Sequence, residues 1–499
     1  MTKERGQFTV EESPLTVQVS VSRAGTPCAR VGARAAVALS LVLTAAGCAS
    51  LAPDRGALAT GANAGANWSP ETPIGPWPGD GWWKAYGDAQ LNGLIDEALD
   101  KSPTMRMARA RVERARATIA ETRSGLFPAL QGLGTATETK QSYNTGIPPM
   151  FVPHGYNDFG QATLNLNYNF DLWGKTRSSL AAATSEARAA RADMAAARLT
   201  LSTAVAGAYA DLSRLYGERD VAERSVRSRQ ETLDLVARRV ANGIDTQGEL
   251  NQAKAGVPSA KADLAAIDED IGLARNALSA LLGEGPQRGL SIARPGKAAL
   301  QPFTLPDKLG AHLVGRRPDV VAARWRAEAA ATRVGAARAA FYPDVNIMAF
   351  GGFEALYLRR LFASDSAIGQ VGPAVSLPIF EGGRLRGELR GAKADYASAV
   401  ATYDAAVVQS LHEAADAATS RRVLTERLSQ TREALAGQEE AYRIAKLRYD
   451  GGLANYQTVL TAEDRVLAGR RAVVDLEARA FSLDIQLIKA LGGGFTDAA

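Results

Sequence analysis

Between positions 161 and 172 apolar and polar side chains alternate without a break. Ala162, Leu164, Leu166, Tyr168, Phe170 and Leu172 hold one phase; Gln161, Thr163, Asn165, Asn167, Asn169 and Asp171 hold the other. A period of two puts these sets on opposite faces of a strand, one apolar and one made mostly of amides. A weaker copy runs over 370–379, with Val371, Pro373, Val375, Leu377 and Ile379 opposite Gln370, Ala374 and Ser376. Partner strands are predicted over 129–139 and 344–353. Each is about ten residues, the length at which a tilted strand crosses a bilayer. An apolar outside and an amide-rich inside describe a barrel with a wet lumen, which Asn165, Asn167 and Asn169 would face. The alternative is an amphipathic sheet packed on a soluble core. Four strands are too few for a channel, since the smallest membrane barrels have about eight. Open edges are not tolerated in lipid. Either the sheet is soluble, or several chains pool their strands, three copies supplying about twelve.

A second pattern surrounds these strands. Residues 175–242 contain no proline and are rich in Ala, Arg, Leu and Glu, which favour helix. Such a helix would extend about 100 Å, too long to be buried within one compact domain, so it must pack lengthwise against others. Residues 384–450 repeat it. Both stretches end at glycine, Gly243 and the pair Gly451-Gly452, where a left-handed cap conformation carries little strain. The chain then returns as a helix of about ten turns. Pro258 is expected to interrupt and kink the first return helix.

The two patterns belong to a tandem repeat. Pro103 and Pro128 recur 215 positions later as Pro318 and Pro343. The run Arg239 to Gly243 recurs 209 positions later as Arg448 to Gly452, and Leu278 to Gly283 recurs at the same offset as Leu487 to Gly492. Four landmarks in one order at nearly one offset indicate duplication. The difference of six residues is assigned to a longer loop in the first copy. The predicted organisation is a signal over 1–48, an extended segment over 49–90, repeat 1 over 91–284, a Pro-rich connector over 285–311, repeat 2 over 312–494 and a tail over 495–499.

The N-terminus carries an export signal. Arg23, Arg30 and Arg34 precede an apolar run from Ala35 to Ala46, followed by Gly47 and Cys48. The run is about a dozen residues, short of the roughly 20 needed to span a bilayer. The ending Ala45-Ala46-Gly47-Cys48 resembles a bacterial lipobox, with Ala45 where leucine is preferred, so lipidation at Cys48 is expected. The other cysteine, Cys28, also precedes the folded part, so no disulfide framework is available. Composition adds mainly exclusions. Net charge is +5 with the charges interspersed, and no basic stripe with interleaved aromatics suggests nucleic acid. His154, His312 and His412 are far apart, which argues against a histidine metal or acid–base centre. Gly174-Lys175-Thr176 lacks the upstream glycine of a phosphate-binding loop, its place taken by Asn169, and His412-Glu413 lacks the second histidine of a zinc helix. No catalytic, cofactor-binding or metal site is expected.

Several segments carry a resemblance. They are Trp82-Trp83, then Leu91-Asn92-Gly93-Leu94-Ile95, Asp171-Leu172-Trp173-Gly174-Lys175 and Leu305-Pro306. Further on come Arg316-Arg317-Pro318-Asp319-Val320, the run Leu377-Pro378-Ile379-Phe380-Glu381-Gly382-Gly383-Arg384, and Arg448-Tyr449-Asp450-Gly451-Gly452. In this order they resemble the TolC-like outer-membrane efflux proteins, in particular the NodT-type lipoprotein branch, over nearly all of the mature chain. The resemblance implies a mostly α fold with a four-stranded antiparallel contribution. It implies a homotrimer with a 12-stranded outer-membrane barrel joined to a periplasmic helical tube. The tube would dock on a periplasmic adaptor of an inner-membrane transporter, of RND type, and pass drugs, toxic small molecules or metal ions without chemistry. The turns over 241–246 and 450–455 would form the periplasmic tip, with Arg239, Asp245, Glu249, Arg448, Tyr449 and Asp450 as candidates for a polar lock. Thr458 and Thr461 stand where some members carry acids, which puts a cation-sensitive ring in doubt. A type I protein-secretion duct and a periplasmic coiled-coil scaffold lipoprotein are the competing readings.

Overall fold

The computed structural model describes residues 78–144, 146–296 and 316–496. The signal, Cys48, Leu305-Pro306 and most of the connector lie outside them. The described residues all belong to the unit Pro53–Ala499. A 3-10 turn, Trp82–Tyr86, opens it, followed by α1 (Ala89–Lys101), α2 (Pro103–Ser124), β1 (Ala129–Thr139), β2 (Asn157–Phe170), α3 (Lys175–Ala241) and α4 (Gln247–Leu282). The short α5 (Pro286–Leu290) precedes the second copy, α6 (Pro318–Ala339), β3 (Asp344–Ala355), β4 (Ala367–Ser376), α7 (Arg384–Asp450) and α8 (Tyr456–Ala490).

Local chemistry sets the boundaries. Ser102 caps α2, its hydroxyl accepting from Thr104 N at 3.2 Å, with Pro103 in the first turn. At the start of α3 the Asp171 carboxylate accepts from Thr176 N (3.0 Å) and Arg177 N (2.8 Å). Asp171 therefore ends the strand: β2 stops at Phe170, two residues short of the alternating run, and begins at Asn157, four residues before it. Both long helices start after a glycine in the left-handed region, Gly174 (φ 74°) and Gly383 (φ 90°). Two expectations are corrected. Pro258 does not interrupt α4, which runs unbroken through it. The segment expected to be extended up to residue 90 is instead folded from Trp82 onward, as the turn and the first residues of α1.

That turn is part of the main core. Trp83, Tyr86, Leu91, Leu94 and Ile95 pack with Leu212 of α3, Leu278 and Leu282 of α4, and Phe481 and Ile485 of α8. Tyr86 donates to Asp484 at 2.6 Å, and Arg421 of α7 pairs with the same carboxylate at 2.9 Å. The second copy is pinned by Arg317. This buried guanidinium takes Asp319 through two bonds (3.0 and 2.6 Å), Glu413 of α7 at 2.5 Å and the carbonyl of Ala490 at the end of α8 at 3.4 Å. The sequence showed only a helix start there.

The sheet is antiparallel in the order β1-β2-β3-β4, leaving β1 and β4 as edges. Its register carries the alternation across all four strands. Leu130 pairs with Leu166, Leu166 with Ala349, and Ala349 with Val371. One position away, Gln131 pairs with Asn165, Asn165 with Phe350, and Phe350 with Gln370. Cross-strand partners share a face, so one face is apolar up to the Glu138–Asp158 pair at the end away from the helices. The other is amide-rich, with Leu133, Phe159, Met348, Phe350 and Ile368 as apolar insertions. The helices continuing the strands pack in the same order, α2 on α3, α3 on α6 and α6 on α7. Beyond the short helices the order is α4, α3, α8, α7.

Candidate functional site

The two turns between long and return helices are near copies. Ile244 N bonds to Arg239 O (2.9 Å) and Gly243 N to Val240 O (3.0 Å); Leu453 N bonds to Arg448 O (2.7 Å) and Gly452 N to Tyr449 O (3.0 Å). This is the Schellman pattern, with Gly243 (φ 70°) and Gly452 (φ 73°) in the left-handed position. Gly451 lies at φ −77° and does not use glycine's freedom. Each return helix is capped, by Thr246 in a reciprocal box with Glu249 and by Asn455 accepting from Thr458 N.

The side chains break the symmetry. Arg239, buried in the last turn of α3, donates to both carboxylate oxygens of Asp245 (2.9 and 3.2 Å) and to the carbonyls of Tyr449 (2.8 Å) and Asp450 (3.2 Å). Its guanidinium lies 4.4 Å from the Tyr449 ring centroid, and the Tyr449 hydroxyl donates to Asp245. Burial pulls the Asp245 carboxyl upward. The bonds from Arg239 and Tyr449 and the charge of Arg239 outweigh this and hold it below the ordinary aspartate value. Tyr449 is driven well above the usual tyrosine range by burial and by its bond to Asp245. Three of the six candidates therefore converge, and Asp450 joins through its backbone. Glu249 is used in the cap, while the Arg448 side chain is exposed and outside the network. Under the network lie Val236, Ala253, Tyr456 and Val459, which the charge pattern could not reveal. One further layer was missed. Ser228 of α3 bonds Tyr442 of α7 at 3.0 Å, and Arg229 lies between Asp464 (2.6 Å) and the buried Glu463 (3.6 Å).

At the sheet, Asn167 and Asn169 are exposed and Asn165 half-buried, all on the amide-rich face with Gln131, Gln161, Asn346 and Gln370. Leu130, Leu164, Val371 and Val375 on the apolar face are 58–76% exposed in the single chain. Among the described residues no helix is long and apolar enough to cross a membrane, and no group of His, Cys, Asp and Glu side chains forms a metal-binding cluster.

The comparisons agree with this geometry. Residues 94–284 and 310–493 match the family model "Outer membrane efflux protein". The fusaric acid resistance protein FusA of Burkholderia cepacia is 37% identical over 374 residues, covering 72% of this chain and 69% of that one. The multidrug resistance outer membrane protein MdtP of Escherichia coli K12 is 31% identical over 430 residues, covering 84% and 87%. Among solved structures, the outer membrane protein VceC of Vibrio cholerae superposes with a TM-score of 0.78 at 46% identity, covering 84% of this chain and all of that one. The CmeC outer membrane channel of Campylobacter jejuni gives 0.80 at 25%, covering 86% and 91%. The chain belongs to the outer membrane efflux protein family and is the outer-membrane channel component of a tripartite efflux system.

Proposed function

We propose that three copies of this chain, each anchored by a lipid on Cys48 as in the lipoprotein branch of the family, close one passive duct. The duct would receive drugs and other toxic small molecules from an inner-membrane transporter of the RND type through a periplasmic adaptor. The observation that carries this reading is the sheet. It is amphipathic over four strands, with unpaired edges at β1 and β4. In lipid those edges need partners, and three copies supply a closed barrel of about twelve strands. The helices repeat the arrangement, with α2 and α7 at the ends of their layer. The amide face would line the exit. The network of Arg239, Asp245 and Tyr449 would hold the periplasmic tip closed at rest, with Gly243 and Gly452 shaping the turns that meet the adaptor. The substrate class follows the named relatives at 31–37% identity, which are resistance proteins for fusaric acid and for multiple drugs.

The test is the mass of the full-length complex, extracted from membranes in detergent and kept unboiled, with and without Cys48→Ser. A trimer from the outer-membrane fraction, with a lipid mass adduct lost in Cys48→Ser, is expected. A monomer released without detergent overturns the duct. A trimer without the adduct overturns only the anchor.

A further inference from the structure

The connection between β3 and β4 folds onto the apolar face of the sheet. Gly160 is in phase with Ala162 and Leu164, so a side chain there would stand on that face. A Cβ at Gly160 would meet Leu358 Cδ2 at 2.6 Å and Leu361 Cδ2 at 3.3 Å. Phe353, the cross-strand partner of Ala162, has the Phe362 ring edge-on at 5.6 Å. Two strands thus place the connection on the wall and away from the amide-lined side. It is fastened there. Tyr357 N donates to Asp158 O (2.7 Å), Leu358 N to the Asp158 carboxylate (2.7 Å), and the Tyr357 hydroxyl to Asn157 (3.2 Å). Tyr357 adopts φ 115°, the sole non-glycine positive φ among the described residues. That conformation is unfavourable for tyrosine and persists because the bonds around it fix it.

The strap reads Leu358-Arg359-Arg360-Leu361-Phe362. The leucines cover Gly160, while Phe362 remains 74% exposed. Arg360 pairs with Asp365 at 2.5 Å. Arg359 lies over the Tyr357 ring at 5.6 Å, and no described carboxylate forms an ion pair with it. The strap joins the strand ends opposite the helices, at the outward limit of an apolar wall. An exposed aromatic ring continuous with that wall, beside guanidinium groups, matches the boundary between acyl chains and phosphates.

We propose that the strap binds the phosphate-bearing headgroup of an outer-leaflet lipid, Arg359 meeting the phosphate and Phe362 entering the acyl region. This rests on the sheet being a membrane wall. The charge arm should contribute about fivefold in affinity per arginine. The experiment titrates the full-length complex, delipidated in neutral detergent, with lipid A, with phosphatidylcholine and with inorganic phosphate, read by native mass spectrometry. Lipid A should bind more tightly than phosphatidylcholine, and inorganic phosphate weakly. Arg359→Gln should weaken lipid A about fivefold and Arg359→Lys should largely restore it. Gly160→Val keeps every charge but displaces the leucines, and should also weaken binding. Unchanged binding in Arg359→Gln, equal affinity for phosphatidylcholine, or equal affinity for inorganic phosphate would each overturn the proposal. Failure of the wall reading is seen separately, as a complex that stays soluble without detergent.

Discussion

Arg239 and Arg448 occupy equivalent places in the two repeats, 209 positions apart, yet only Arg239 is buried. The repeat equivalent of Asp245 is Ala454, and that of Tyr449 is Val240, so one copy supplies the ion pair and the other the phenol. Charge near a turn was legible in the sequence; which charge is buried depends on the end of α7 meeting the end of α3 at Tyr449 and Asp450, a contact between repeats. The Asp245 carboxyl is held below its unfolded value. Its contribution is present above that value, near about pH 4, and is lost as pH falls through the folded value. Single-channel conductance should therefore stay low at neutral pH and rise in acid, while Asp245→Asn should conduct more at neutral pH and lose the acid response. Arg239→Ala, which strands a carboxylate, should destabilise the closed tip by about 3 kcal/mol. A flat wild-type profile would remove this network from gating. Glu463 has the opposite sign. It is 3% exposed, and neither carboxylate oxygen has a hydrogen-bond partner among the described residues. Burial raises its carboxyl, aided by Asp464 and opposed by Ser228, Arg229 and Lys446. The resulting penalty is absent below about pH 4 and accumulates as pH rises through the folded value. Glu463→Gln should raise the melting temperature at neutral pH and leave it unchanged near about pH 4. An equal rise at both pH values would show that ionisation is not the cause.

Among the elements, the long helices were legible almost to the residue because 175–241 and 384–450 contain no proline and enough strong helix formers to outweigh their few glycines. Strand β2 was legible by alternation, but its limits were not. Its first turn of sequence, Asn157 to Gly160, lacks the pattern and is held by pairing to β1 and β3, while Asp171 continues the pattern but is taken by the α3 cap. The unbroken α4 shows tertiary packing overriding a local breaker, with Val257 and Ala260 on either side of Pro258 both buried. The turn glycines give a sharper comparison. Gly452→Ala must hold φ 73° and should cost about 1 kcal/mol. Gly451→Ala, at φ −77°, should be nearly neutral, as its repeat equivalent Asn242 already implies at φ −90°. Equal losses of melting temperature in the two variants would contradict the assignment of the cap.

For the whole molecule, the two 67-residue helices have similar composition but different surroundings. Helix α3 buries 21 residues and α7 only six, so α7, which has α6 and α8 as neighbours, is left largely uncovered by its own chain. Nothing in the alanine-rich sequences of the two helices foretells this, because it arises from their places in the layer. At roughly 100° per residue, the buried positions Ser410, Ala414, Ala417, Leu424, Ala445 and Tyr449 fall on one side of α7. The exposed apolar residues Val408, Val423, Ile444 and Leu447 fall within about 120° of one another on the opposite side. A helix with two apolar faces is suited to being buried twice, and in the proposed trimer a second chain would supply the second burial. The free edges nearest in kind are α2 and α4, the helices at the other end of the layer. Closing the proposed ring would place α7 of one copy against α2 and α4 of the next, just as β4 would pair with β1. Charges on that face should act on assembly and spare the fold. Val408→Asp combined with Val423→Asp should leave the helical circular dichroism of the detergent-solubilised chain intact while shifting its mass from trimer to monomer. If the trimer survives this double change with an unaltered melting temperature, the stripe faces water and the copies must be joined elsewhere.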